Sequence, residues 1–204
     1  AMVTGVTRPF VSAFEDISNV IDTKPGARVF GLTMVIARER TVFMADTAVH
    51  EVPTPEAMVD IAIQSAAFAR RLGHEPRIAL LSYANFGTAW GRAANRVREA
   101  VRLLDERRVD FEYDGEMQAD VALDHELMKS AFPFCRLSGP ANVLIMPALN
   151  AANIAAKLMA QLGGGTVVGP ILTGLAKPMQ VMPMGSNVSD IVNIAALAAH
   201  EVGR

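Results

Sequence analysis

Only one cysteine, Cys135, occurs in 204 residues, so no internal disulfide can form. A lone thiol of this kind fits a reducing compartment. The chain has no uninterrupted apolar run long enough to span a bilayer, and its start lacks a basic-then-apolar signal. A cytoplasmic location away from any membrane is the expectation. Neither charge is in excess: 19 Lys and Arg stand against 21 Asp and Glu, and a net charge of −2 offers no electrostatic footing for nucleic acid. The P-loop, the zinc-type Cys/His spacing and the G-x-S-x-G elbow are missing. His50, His74, His125 and His200 are dispersed, so no metal site is expected. Cys135 has no His or Asp arrangement beside it in sequence and reads as an inert buried thiol.

What is present is apolar and periodic. Hydrophobic residues make up 51% of the chain and charged ones 20%, enough for one substantial core. Phe10, Phe14, Ile17 and Ile21 repeat as one helical face after Pro9. Val29 to Ala37 and Thr41 to Val49 predict a hairpin turned at Arg38-Glu39-Arg40. Thr54 and Pro55 mark a helix start, followed by an apolar helix to Leu72 with Asp60, Gln64 and Arg71 as its polar stripe.

Ile78 to Tyr83 predicts a buried strand that leads through Asn85-Phe86-Gly87-Thr88 into a long helix. Trp90, Ala94, Val97, Val101 and Leu104 form that helix's core stripe, and its arginines form a solvated face. Asp110 to Met117 predicts a strand ending in an Asp114-Gly115-Glu116 turn, and Ala119 to Phe132 one helix. Asn142 to Pro147 reads as a strand, Ala151 to Leu162 as a helix and Thr166 to Leu172 as a strand. Alternation of this kind predicts an α/β fold, a mainly parallel sheet flanked by helices.

The stretch Gly163 to Asp190 is rich in glycine and ends at a helix N-terminus. Glycine admits close backbone approach, and free N–H groups attract anions, so a strand-end ligand loop is expected here. Asn187 and Asp190 have capping-box spacing, and Val188, Ile191, Val192, Ala195 and Ala199 are expected to form the apolar face of the last helix.

Five segments resemble one family in order: VFMADTAVHEVPTPEAMVDIAIQSA, RIALLSYANFGT, FEYDGEMQADVAL, GPANVLIMPALNAANIAAKLMAQLGGGTVVGPILTGLAKPMQV and GSNVSDIVNIAALAA. The family is that of the phosphotransacetylases. The resemblance implies an isocitrate/isopropylmalate-dehydrogenase-like fold, of which this chain is the second of two lobes, with CoA and acetyl phosphate bound in the cleft between them. It divides the chain into a lead-in over 1–27 from the absent first lobe, an α/β lobe over 28–186, and a terminal helix over 187–204 at the lobe junction.

The chain departs from that pattern at two basic positions. Active members carry Ser-Arg before the glycine of the last loop, where this chain has Pro183-Met184, and lysine in the loop where this chain has Phe86. Methionine and phenylalanine supply neither charge nor donors. SYANFGT and MGSNVSDIVN look like the phosphotransacetylase-like C-terminal domain of hybrid NADP-dependent malic enzymes. That likeness implies a non-catalytic domain that binds acetyl-CoA, regulates a malic-enzyme domain of the same polypeptide and helps build a homo-oligomer, with NADP and a divalent metal held in the absent portion. The alternative is a working phosphate acetyl- or butyryltransferase, in which Asp190 is the catalytic residue. By motif position, the ligand contacts expected are Ser82, Asn85, Thr88, Asn150, Asn153, Met184, Gly185, Ser186, Asn187 and Asp190, with Glu116 and Gln118 lining the same cleft.

Overall fold

The computed structural model describes residues 1–37 and 39–202. Its elements run β1 (Met2–Gly5), α1 (Phe10–Ser18), β2 (Phe30–Ala37), β3 (Arg40–Ala45), α2 (Pro55–Arg71), β4 (Arg77–Leu81), α3 (Arg92–Arg107) and β5 (Glu112–Met117). They continue with α4 (Ala119–Leu123), α5 (His125–Ala131), β6 (Val143–Ile145), α6 (Leu149–Leu162), β7 (Thr166–Thr173), β8 (Met179–Met182) and α7 (Val188–His200).

Six strands form one sheet in the order β5-β4-β6-β3-β2-β7. Parallel ladders join β5, β4, β6 and β3, while β2 is antiparallel to both β3 and β7. Only β2 therefore runs against the others, and the mainly parallel α/β fold is observed. Such a sheet needs cover on both faces. Alternate residues supply it: Phe43, Ala45, Ile78, Leu80, Val143 and Ile145 join a core with α2, α3 and α7, whereas Met44, Ala79, Leu81 and Leu144 join one with α4, α5 and α6.

A second, two-stranded sheet pairs β1 with β8 in parallel and packs on α1. Gln180 of β8 is 1% exposed and turns its amide onto β7. Its Oε1 accepts from the Leu172 N–H at 2.8 Å, and its Nε2 donates to the Leu172 carbonyl at 3.0 Å. One side chain thus does for Leu172 what a neighbouring strand's backbone would do.

Local signals account for several boundaries. Thr54 Oγ1 accepts from the Ala57 N–H at 3.2 Å with Pro55 next in line, so α2 starts where the pair predicts. The hairpin of β2 and β3 is present, although its turn residue Arg38 lies outside the described residues and β3 ends at Ala45 rather than Val49.

Four expectations are corrected. Trp90 is 92% exposed and precedes α3; the N-cap Gly91 is still extended, at φ 179° and ψ 156°, so the helix begins only at Arg92. Asp114-Gly115-Glu116 is no turn but part of β5, where the register against β4 shifts after Leu80 and Gly115, at φ +155°, lies against the Leu80 carbonyl. Residues 119–132 form two helices, because Asp124 accepts from the Glu126 and Leu127 N–H groups and restarts the chain as α5. On α7 the buried residues are Ile194 and Ala198, with Ile191 and Leu197 packed beside them, while Val188 is 77% and Val192 59% exposed.

Candidate functional site

The carboxyl ends of β3, β4, β5 and β6 share one edge of the sheet, and the loops that leave them carry most of the polar residues of interest. From β4 the chain passes through α3 to β5 on one side. From β6 it passes through α6 to β7 on the other. The β4/β6 boundary is thus a topological switch point, where open α/β sheets hold ligands. Neither helix that begins there, α3 or α6, has a side-chain N-cap or an acidic residue in its first turn, although at α6 the Leu149 and Ala151 N–H groups are taken by the Glu51 carbonyl and by Asn150 Oδ1. By contrast α2, α5 and α7 are each capped by a side chain and carry an acid in the first turn. A helix end with no acid in its first turn, such as that of α3, suits an anionic ligand.

The loop after β4 is tied to β5 by a side-chain network. Asn85 Nδ2 donates to Gln118 Oε1 at 2.8 Å, and the Gln118 N–H donates back to Asn85 Oδ1 at 2.7 Å. Gln118 Nε2 reaches the Tyr83 carbonyl at 2.7 Å, and Thr88 Oγ1 accepts from the Asn85 N–H at 3.1 Å. Ser82 is half-buried at the loop's root and Thr88 exposed at its crest. Sequence reading therefore selected Ser82, Asn85, Thr88 and Gln118, and the structure brings them together.

Beneath this loop Glu116 is fully buried. Its Oε1 accepts from the Gly87 N–H at 2.9 Å and from Arg98 Nη1 at 2.6 Å, while Oε2 finds no partner among the described residues. Glu116 thus anchors the loop from below and does not line an open cleft. Arg96, two residues earlier on α3, donates to the Pro147 carbonyl at 2.9 Å and joins α3 to the loop after β6. Two of the arginines assigned to a solvated face are therefore structural, whereas Arg102 pairs on the surface with Glu99 and Glu106.

Asn150 falls in the first turn of α6, where its Oδ1 accepts from the Ala151 N–H at 2.7 Å; Asn153 is exposed one turn on. Met184 to Asp190 stand apart. Among the described residues no hydrogen bond or ion pair joins this segment to the loops after β4 and β6. Asp190 Oδ2 accepts from the Asn187 N–H at 2.9 Å and Asn187 Oδ1 from the Asp190 N–H at 3.0 Å, a complete capping box. Ser186 Oγ donates to the Pro183 carbonyl at 2.8 Å, Gly185 adopts φ +87°, and Met184 is 63% exposed.

The sequence reading missed Asp46 and His50 at the end of β3. Asp46 is 2% exposed and accepts from the Gly31, Ala48, Val49 and His50 N–H groups at 2.7–3.1 Å, and from His50 Nδ1 at 2.6 Å. Burial alone would raise its pKa, but the bonds from the His50 side chain and from the Ala48, Gly31 and His50 backbone outweigh it and hold the carboxyl below its ordinary value. An acid followed four residues later by histidine just after a strand was the available signal. The Cys135 thiol is pushed up to about 11, chiefly by burial, as an inert thiol requires. Two small voids, of about 10 and 20 Å³, lie away from these loops, beside Leu197 and Lys177, and neither could enclose a coenzyme.

Residues 1–199 match the model of the phosphate acetyl/butaryl transferase family. The chain belongs to this family. Its similarity extends to an NADP-dependent malic enzyme of Rhizobium meliloti, 54% identical over 99% of this chain and 26% of that protein. A phosphate acetyltransferase of Clostridium acetobutylicum is 34% identical over 100% of this chain and 63% of that protein. Among solved structures, a phosphotransacetylase from Streptococcus pyogenes superposes with a TM-score of 0.90 at 31% identity, covering 98% of this chain and 62% of that one. The chain thus spans about a quarter of the malic enzymes and under two thirds of the acetyltransferases it matches.

Phe86 stands where the resemblance places a lysine in active members of the family. The residue sits at φ +43°, and its ring packs 5.1 Å from that of Phe132 and 5.0 Å from that of Phe134. It joins the apolar cluster of α4, α5 and α6. An ammonium group could not occupy that place without a desolvation cost.

Proposed function

We propose that this chain is a non-catalytic, acetyl-CoA-binding regulatory and oligomerisation domain of a cytoplasmic NADP-dependent malic enzyme, whose parent reaction is the oxidative decarboxylation of malate to pyruvate. The observation that carries this reading is the placement of Phe86, Met184 and Asp190. Phe86 is committed to an aromatic cluster, Met184 offers no charge, and the Asp190 carboxylate is engaged as a helix cap. Acyl transfer to phosphate needs donors aimed at developing negative charge, and cations are missing at both of these positions. Binding needs less: the uncapped N-terminus of α3 and the Asn85–Gln118 network fit a phosphate-bearing ligand. NADP and the divalent metal belong to other parts of the polypeptide.

The oligomerisation role is supported by α6. Of its 14 residues only Ala152 is buried, and Ile154, Leu158 and Leu162 stand 60%, 54% and 80% exposed at four-residue spacing. A stripe of that kind suits a two-fold contact with its own copy. The exposed Val188 and Val192 face of α7, next to β1, is the surface against which the remaining lobe is expected to seat.

Malic-enzyme assays of the full-length protein over a range of acetyl-CoA concentrations test the regulatory role, with falling activity expected; a flat response would sink it. The second reading, an active acyltransferase, is favoured by the acetyltransferase that matches the whole chain. Formation of acetyl-CoA from acetyl phosphate that falls on Asp190→Ala would establish it instead.

A further inference from the structure

The Asp46–His50 pair lies on the same sheet edge as the loops described above, and no step of the reading so far uses it. Its place there is fixed by the backbone. The Leu149 N–H, at the start of α6, donates to the Glu51 carbonyl at 2.9 Å, so the loop after β3 abuts the loop after β6 one residue beyond His50. The two side chains differ sharply in access: that of Asp46 is 1% exposed and that of His50 22%.

Five hydrogen bonds converge on the Asp46 carboxylate, and it can only accept. The ring nitrogen that faces it at 2.6 Å, Nδ1, therefore carries a proton. In the neutral imidazole the lone pair then resides on Nε2, which makes no hydrogen bond with any described residue. The protein has oriented an acceptor, fixed its tautomer from behind through a buried acid, and left it without a partner. A turn that needed only to satisfy Asp46 would require Nδ1 alone.

We propose that His50 is a ligand-contacting residue of the strand-end cleft, with Asp46 as its positioning residue, and that Nε2 accepts a hydrogen bond from an amide N–H of the ligand's pantetheine arm. This rests on the reading of the chain as an acetyl-CoA-binding domain. It assigns the contact to the amide-bearing arm and not to the phosphates, which have no N–H to give and match the α3 N-terminus instead. The loop after β3 is thereby added to a cleft otherwise drawn from the loops after β4, β5 and β6.

The test separates the two ring nitrogens. His50→Asn places an amide nitrogen where Nδ1 stands, keeping the bond to Asp46 while deleting Nε2; His50→Phe deletes both. In calorimetric titration of the full-length protein with acetyl-CoA, His50→Asn should bind about tenfold more weakly, the loss of one hydrogen bond, with its unfolding midpoint unchanged. Binding of adenosine 3′,5′-bisphosphate, which lacks the pantetheine arm, should not change. His50→Phe should bind as weakly as His50→Asn and unfold earlier.

Equal acetyl-CoA affinity in His50→Asn and the parent overturns the inference and leaves the acetyl-CoA reading standing. So does a loss accompanied by the same early unfolding as His50→Phe, or an equal loss for the bisphosphate. No acetyl-CoA binding by the parent overturns both.

Discussion

Arg98 on α3 and Glu116 on β5 form an ion pair of 2.6 Å whose carboxylate is wholly buried. The pair is more than a surface embellishment, because the same Glu116 oxygen holds the Gly87 N–H and so fixes the loop after β4. Removing one partner strands the other in a low-dielectric site. Arg98→Ala should therefore cost about 3 kcal/mol in urea unfolding, and adding Glu116→Gln should recover part of it. If the single variant unfolds like the parent, the pair does not anchor the loop.

Asp46 makes a pH prediction with a definite sign. Its folded pKa lies below the value of about 3.9 expected in an unfolded chain, so its stabilising effect is present above that value and lost as pH falls through the folded one. Asp46→Asn should be much less stable than the parent at pH 7, with the gap narrowing towards pH 3. Denaturant titrations at the two pH values measure it; a constant gap would contradict the assignment.

Phe86 can be tested by supplying a basic residue. Phe86→Lys should not produce acetyl-phosphate-dependent acetyl-CoA synthesis, and should lower the unfolding midpoint by several degrees, because the ammonium enters the Phe132–Phe134 cluster. Activity gained without loss of stability would show that the loop can turn outward and that the site is closer to a catalyst than proposed.

Trp90 is the sole tryptophan and is almost fully exposed, beside the loop after β4. Acrylamide should quench it freely in the unliganded protein, and saturating acetyl-CoA should reduce that quenching by about half or more if the ligand covers the α3 N-terminus. Unchanged quenching in a protein that binds acetyl-CoA by calorimetry would place the ligand away from this helix end.

The α6 stripe predicts assembly. Leu158→Glu should move the protein to a smaller species in sedimentation without lowering its unfolding free energy by more than about 1 kcal/mol, since the side chain is 54% exposed. An unaltered sedimentation coefficient would remove α6 from the interface.

How far these features could be read from the sequence depended on whether the signal was local. Thr54-Pro55 and the Asn187/Asp190 spacing are local, and both caps are observed. The two apolar faces of α7 are not distinguishable by periodicity: Val188, Val192, Ala195 and Ala199 repeat as well as Ile191, Ile194 and Ala198 do, and only packing against α2 and β8 chooses between them. Trp90 continued the α3 stripe on paper, yet the chain is still extended at Gly91 and turns helical only at Arg92, which leaves the indole in solvent. Within the candidate site Asn85 and Gln118 were visible through family motifs. The Asp46–His50 pair was passed over because the histidines were judged only as dispersed metal ligands, and its buried environment is a property of the sheet.

Gln180 bears on how the molecule can and cannot assemble. A free strand margin invites another chain to extend the sheet, and β7 occupies such a margin. With both main-chain groups of Leu172 engaged by one buried amide, that end of the margin is closed to annealing. Growth by strand addition is blunted at that end of β7, where a partner would meet a buried amide in place of open main chain.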